Sequence, residues 1–337
     1  MKPHTTPSRI PWIDIAKGYG TLLVIYAHLG VGTIHSWMYS FHLPLFFFLS
    51  GYVFSTKYGF KEFLLRKIKS IVIPYFCLGI PMYLFREFYS YLLGTFTMVN
   101  AKYNLQQLLL QQRFWTLWFI ACLFCLNILF YLLVKLCRNE WKIALISVVL
   151  ACLGLFYYSL GGAPLYWNFD TCFTAMPFFA LGYLYKLHAN AVDNLIMSKS
   201  LVFFLLFGVI NLITWRLSLD ETSLGLEMFD SNYGNPIFTY IAAFTGIFCV
   251  IIASKCITIE PIRYIGENSM IYYAWHQGIM IPIISKTFAF IGFDNLMTYG
   301  LLGSITYRFV CTIIIIIALT FCNWCIMKLG LKFMVGK

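Results

Sequence analysis

The sequence predicts an all-α membrane protein, a polytopic transmembrane helical bundle of about ten spans with both termini cytoplasmic. Three observations lead there. Of 337 residues, 61% are hydrophobic and 11% charged, against about 25% charged in a soluble domain. Mean hydropathy is +0.78. Apolar runs long enough to cross a hydrocarbon core of about 30 Å recur along the whole chain, with the polar residues gathered between them. No composition break and no internal repeat divides the chain, so residues 1–337 are read as one membrane-embedded domain.

The runs fall at about 15–34, 40–56, 71–92, 115–136, 143–160, 172–188, 200–217, 237–254, 268–290 and 300–327. The short, basic stretch from Met1 to Pro11 lacks the features of a cleaved leader, so the first span is expected to remain as an anchor. Ten spans return the chain to its starting side. Counted by side, eighteen of the 24 Lys and Arg residues fall with the termini and six fall opposite. Positive loops stay cytoplasmic, which orients the bundle. The same loops account for the net charge of +11 without a nucleic-acid partner. Cys122/Cys125 and Cys322/Cys325 have CxxC spacing but lie inside spans, with no second pair or histidine set at zinc spacing. They read as small hydrophobes, with no metal site.

Two outer connections are long. Gly94 to Arg113 is polar and Gln-rich. Ser218 to Pro236 carries Asp220, Glu221, Glu227, Asp230, Asn232 and Asn235. The second reads either as a solvated connector or as a surface for a polar acceptor.

Within the first span, Lys17 and His28 stand out. An ionisable group in lipid costs about 2.5–3.5 kcal/mol on insertion scales and is a functional candidate by default. Eleven residues at about 1.5 Å each put them roughly 16 Å apart along one helix, about 20° past three turns, so they share a face. A neutral imidazole can take a proton from a hydroxyl. Asp14 lies one turn from Lys17. His42 opens the second span after a short outer turn, as either a partner at the level of His28 or an interfacial helix start. Ser50-Gly51 suits a close helix crossing.

Residues 57–75 are basic and amphipathic, which fits an anionic lipid surface. They also fit a phosphate cradle, with Arg66 and Lys69 as its best candidates. Trp115 and Trp118 fit an interfacial aromatic belt or a sugar-stacking platform. His276, about two turns into the ninth span, is a second pocket group or a packing hydrogen bond. Nucleotide-binding glycine loops, zinc signatures and nucleophile elbows are absent from the sequence. Asp193 and Glu260 read as loop residues.

Four stretches, taken in order, resemble the integral-membrane acyltransferase type 3 family, and within it the fucose 4-O-acetylase-like branch. They are Trp12-Ile-Asp14-Ile-Ala-Lys17-Gly18 running to His28; His42-Leu-Pro44 running to Ser50-Gly51; Arg66-Lys67 leading into Pro74-Tyr75; and Ile265-Gly266-Glu-Asn-Ser269 running to Tyr272 and His276. The family's basic-residue-x10-His pattern maps onto Lys17 and His28. Lysine stands where many members carry arginine, and it lacks arginine's bidentate fork. The resemblance implies a multi-pass O-acyltransferase of the bacterial plasma (inner) membrane. It would move an acetyl group from cytoplasmic acetyl-CoA to a hydroxyl of a cell-surface or lipid-linked saccharide. On that reading His28, His42 and Asp14 are the catalytic candidates, and Lys17, Arg66, Lys69 and His276 the contacts to acetyl-CoA. The partners are membrane lipid and the saccharide or glycolipid acceptor. Two other readings stand beside it: an O-succinyltransferase, and a saccharide exporter, since buried His, Lys and Asp also suit proton relays. Against export, the chain has neither an inverted repeat nor paired broken helices.

Overall fold

The computed structural model describes residues 9–220 and 225–337; Glu221 lies outside them. α1 (Pro11–His28), α2 (Thr33–Tyr39) and α3 (His42–Tyr52) open the fold. α4 (Phe60–Lys67) runs through a π-turn at Ile68–Val72 into α5 (Ile73–Leu92). α6 (Met98–Leu110) is followed by α7 (Trp118–Cys137), α8 (Glu140–Ser159) and α9 (Phe169–Leu187). The short α10 (Ala189–Met197) leads to α11 (Ser200–Ser218) and α12 (Pro236–Cys256). α13 (Glu260–Glu267) and α14 (Ser269–Trp275) precede a second π-turn at His276–Met280, then α15 (Ile281–Ile291) and α16 (Gly300–Lys328). Asp193 and Glu260, expected in loops, sit on α10 and α13. The described residues contain no strand beyond one isolated backbone bridge, Glu227 to Asn232.

Helix occupies all ten expected places, and six stretches are long and apolar enough to cross a membrane: Phe60–Leu92, Met98–Cys137, Glu140–Ser159, Ser200–Ser218, Pro236–Cys256 and Gly300–Lys328. The others have physical reasons to differ. α1 carries Asp14 and Lys17. α3 has only 11 residues, about 16 Å of helix, so it is too short to cross alone. α9 carries Asp170 in its first turn, and the α14–α15 run carries His276, Gln277 and Lys286. Three of these four are well buried: ten of the 11 residues of α3 are inside, and more than half of those of α1 and α9. By contrast α8 and α11 bury only 22% and 17% of their apolar stretches. Helices turned to lipid are apolar all round, and those shielded by protein can carry polar groups.

Two glycine crossings lock the interior. A Cβ on Gly51 would lie 1.9 Å from the Phe179 carbonyl oxygen, and one on Gly182 would lie 1.9 Å from that of Phe48, so α3 and α9 meet backbone to backbone. The same holds for α1 and α13, where a Cβ on Gly18 would lie 2.1 Å from the Ile262 oxygen and one on Gly266 would lie 1.6 Å from the Asp14 oxygen. Small residues allow this approach where van der Waals packing must hold helices together in lipid. The π-turns have a local cause. A proline ring collides with the carbonyl four residues earlier. Pro74 and Pro282 each stand four residues after a π-turn residue, Ser70 and Gly278, and the widened turn relieves the clash.

Candidate active site

His28 ends α1. Its Nδ1–H donates to the Val24 carbonyl at 2.8 Å. A carbonyl only accepts, so the neutral ring keeps its lone pair on Nε2. The Tyr39 hydroxyl, from the last residue of α2, donates to that Nε2 at 3.1 Å. Gly32, at φ +113, lets the chain reverse between α1 and α2.

His42 and His276 are built alike. His42 Nδ1–H donates to Met38 at 2.7 Å, and its ring lies 4.6 Å from that of Tyr39. His276 Nδ1–H is shared between the Tyr273 and Tyr272 carbonyls at 2.8 and 3.0 Å, and its ring meets the edge of His28 at 4.9 Å. Both side chains are buried, and their Nε2 atoms have no hydrogen-bond partner among the described residues. His276 also opens the second π-turn, a feature frequent at functional sites. The sequence candidates His28, His42 and His276 are therefore brought to one place, with Tyr39 between His28 and His42.

A cavity of about 260 Å³ opens beside His28, walled by Tyr39, Trp115, Trp118, Glu227 and Asp230. Its aromatic wall stands on an unusual backbone: Gln111, Arg113 and Trp115 all have left-handed φ values, 47°, 59° and 46°. Such conformations cost about 1–3 kcal/mol each for residues with a Cβ and persist only where the surroundings hold them. Here Gln111 supplies the hold: its side chain accepts from the Phe114 N–H at 2.5 Å and donates to the Tyr75 hydroxyl at 3.0 Å.

The acidic loop is pinned to the same segment. Arg113 donates to the Ser231 hydroxyl and lies 3.2 Å from Asp170. The Asp170 side chain is wholly buried and also accepts from Tyr158 at 2.6 Å and from the Leu165 N–H at 3.1 Å. Glu227 sits in the cavity wall, where burial, reinforced by the Asp230 charge, pushes its carboxyl up to about 8.

A second, smaller cavity of about 160 Å³ is lined by Lys17, Ser50, Ile71, Phe119, Ser269 and Tyr273, among others. Tyr273 also lines the His28 cavity. Its ring, packed 5.2 Å from Phe119 and 6.4 Å from Phe46, forms a partition between the lysine end and the histidine end of α1.

The remaining candidates are dispersed. Asp14, 7% exposed, stays at the Lys17 end; fourteen residues of helix, about 21 Å, separate it from His28, so it does not reach the histidine cavity. Arg66 is exposed, paired with Glu62 at 2.8 Å and lying over the Tyr58 ring at 4.0 Å. Lys69 is exposed. Neither lines the Lys17 cavity, because Arg66 reaches its i−4 partner on the solvent side of α4. His276, grouped with these basic residues in the sequence reading, lies instead against His28. Sequence reasoning missed Tyr39, Tyr273 and the Arg113–Asp170 pair. Asp170 at the start of the sixth span was the one available signal, but nothing local joins it to Arg113.

These features define a polytopic membrane protein with a polar site buried among its helices. A family model described as an acyltransferase domain matches residues 10–324. The chain belongs to that family, the acyltransferase type 3 family, and is a membrane acyltransferase. Comparison with curated proteins finds no match, and comparison with solved structures finds none.

Proposed function

We propose that the protein transfers an acetyl group from acetyl-CoA to a hydroxyl of a cell-surface or lipid-linked saccharide, as a member of the fucose 4-O-acetylase-like branch in the bacterial inner membrane. The observation that carries this reading is the unprotonated His28 Nε2, which accepts from the Tyr39 hydroxyl beside a cavity walled by two tryptophans and two carboxyls.

On this reading the acceptor hydroxyl displaces Tyr39 from Nε2. His28 takes the hydroxyl proton as the oxygen attacks the thioester carbonyl. The C–O bond forms, the C–S bond breaks, and the proton passes from His28 to the departing sulfur of CoA. The donor approaches the Lys17 end, and its acyl arm passes the Tyr273 partition over the roughly 16 Å that separate Lys17 from His28. Lys17 acts as a point charge toward a donor phosphate. Arg66 and Lys69 remain candidates for a phosphate outside the cavity.

Purified protein given labelled acetyl-CoA tests the reading, with labelled succinyl-CoA as the competing donor. His28→Ala should lower transfer by about 10²- to 10⁴-fold, the usual contribution of a general base, with acetyl-CoA binding retained. Near-normal transfer in that variant would overturn the assignment.

A further inference from the structure

We infer that the His28 cavity selects a neutral or amine-bearing sugar and turns away an acidic one, with Glu227 and Asp230 as the selecting residues. The inference rests on the reading of this cavity as the acceptor site. Its lining holds two carboxyl residues and no lysine or arginine. Neither carboxyl is ion-paired among the described residues. Arg113, which reaches the same loop, is already engaged by Asp170 and Ser231. An acidic guest would therefore bring its charge beside Asp230 into a partly desolvated space whose lining offers no cation, since Arg86 packs on the Trp115 ring without lining the cavity. Like-charge contact of this kind excludes wrong partners at interfaces.

A hydroxyl or ammonium group meets the opposite situation. The Glu227 carboxyl is touched within the protein by the Phe229 N–H at 3.4 Å, which leaves acceptor positions open to a guest's donors. Trp115 and Trp118 offer broad rings against which the apolar face of a sugar packs.

The carboxyls are also held in place. Glu227 and Asn232 exchange backbone hydrogen bonds at 2.8 and 3.0 Å, and Ser231, at φ 58°, is tied to Arg113. A site whose supporting contacts are already made discriminates better than a loose tether. The surroundings that push Glu227 up to about 8 act against a second negative charge in the same cavity.

The test uses the full chain, labelled acetyl-CoA and three methyl glycosides: a neutral hexose, its 2-amino counterpart and its uronic acid. Both label transfer and competition with CoA release are followed. The uronic acid should be at least about tenfold poorer than the neutral sugar, and Glu227→Gln with Asp230→Asn should remove most of that gap. Equal use of the three glycosides by the unaltered protein overturns the inference without needing any variant. So does His28-dependent CoA release that none of the glycosides affects. CoA release that is absent, or that is independent of His28, overturns the acyl-transfer reading and the inference with it.

Discussion

Replacing Arg113 by methionine should destabilise the protein and release the acidic loop together. The pair is well shielded, with side-chain exposures of 13% for Arg113 and 0% for Asp170. At the 3.2 Å separation, an effective dielectric near 20 gives an attraction of about 5 kcal/mol. Removing one partner of a buried pair typically costs about 3–5 kcal/mol, because the other charge is stranded. Asp170 would keep its bonds from Tyr158 and Leu165, which places the expected loss near the lower figure, about 3 kcal/mol. The double variant Arg113→Met, Asp170→Asn removes the stranded charge as well and should recover more than half of that loss. Denaturant titration of the detergent-solubilised protein measures both, and proteolysis of residues 225–235 reports the loop, which loses its Ser231 anchor. If the single variant matches the unaltered protein, or the double variant is no better than the single, the pair does not hold this end of the bundle.

Other outcomes follow from the same geometry. Tyr273→Ala should join the two cavities and raise CoA release in the absence of any acceptor, whereas Tyr273→Phe, which keeps the ring, should not; equal rates in both variants would remove the partition role. Gly266→Ala forces a Cβ to within 1.6 Å of the Asp14 carbonyl oxygen and should cost at least the 1–3 kcal/mol typical of overpacking, about that or more. Gly208→Ala on α11, with nothing within 4 Å of its Cβ, should be neutral or slightly stabilising in the same unfolding assay. Glu227 makes the outer loop pH-sensitive. Its carboxyl rises from an ordinary 4.5 to about 8 on folding. Between those values the unfolded loop has lost a proton that the folded loop keeps, so the loop's stability should fall as pH rises through that window. Hydrogen exchange of residues 225–235 should show that slope, and Glu227→Gln should flatten it.

Much of the architecture was legible in the chain because hydropathy is a local property. Each apolar run is its own signal, and helix formed at all ten places. The glycine of Ser50-Gly51 does sit at a close helix crossing. Lys17 and His28 were legible too, since an ionisable residue in an apolar stretch is conspicuous without any partner, and one helix fixes their spacing.

What no local pattern carries is convergence. His276 meets His28 only because α14 crosses α1, and Tyr39 reaches Nε2 only through the reversal at Gly32. Composition records the charge of the basic run at Arg66 and Lys69 but not its direction; on the folded helix Arg66 pairs with Glu62, and neither residue lines the Lys17 cavity. Asp170 gave no sign of its partner, since a buried carboxylate is matched across the bundle, far away in the chain. The sequence by itself therefore determined the membrane class, the helices and the two end points on α1. The tertiary structure alone decided which polar groups share a cavity, because pairing of buried charge and filling of space are settled between helices and not along them.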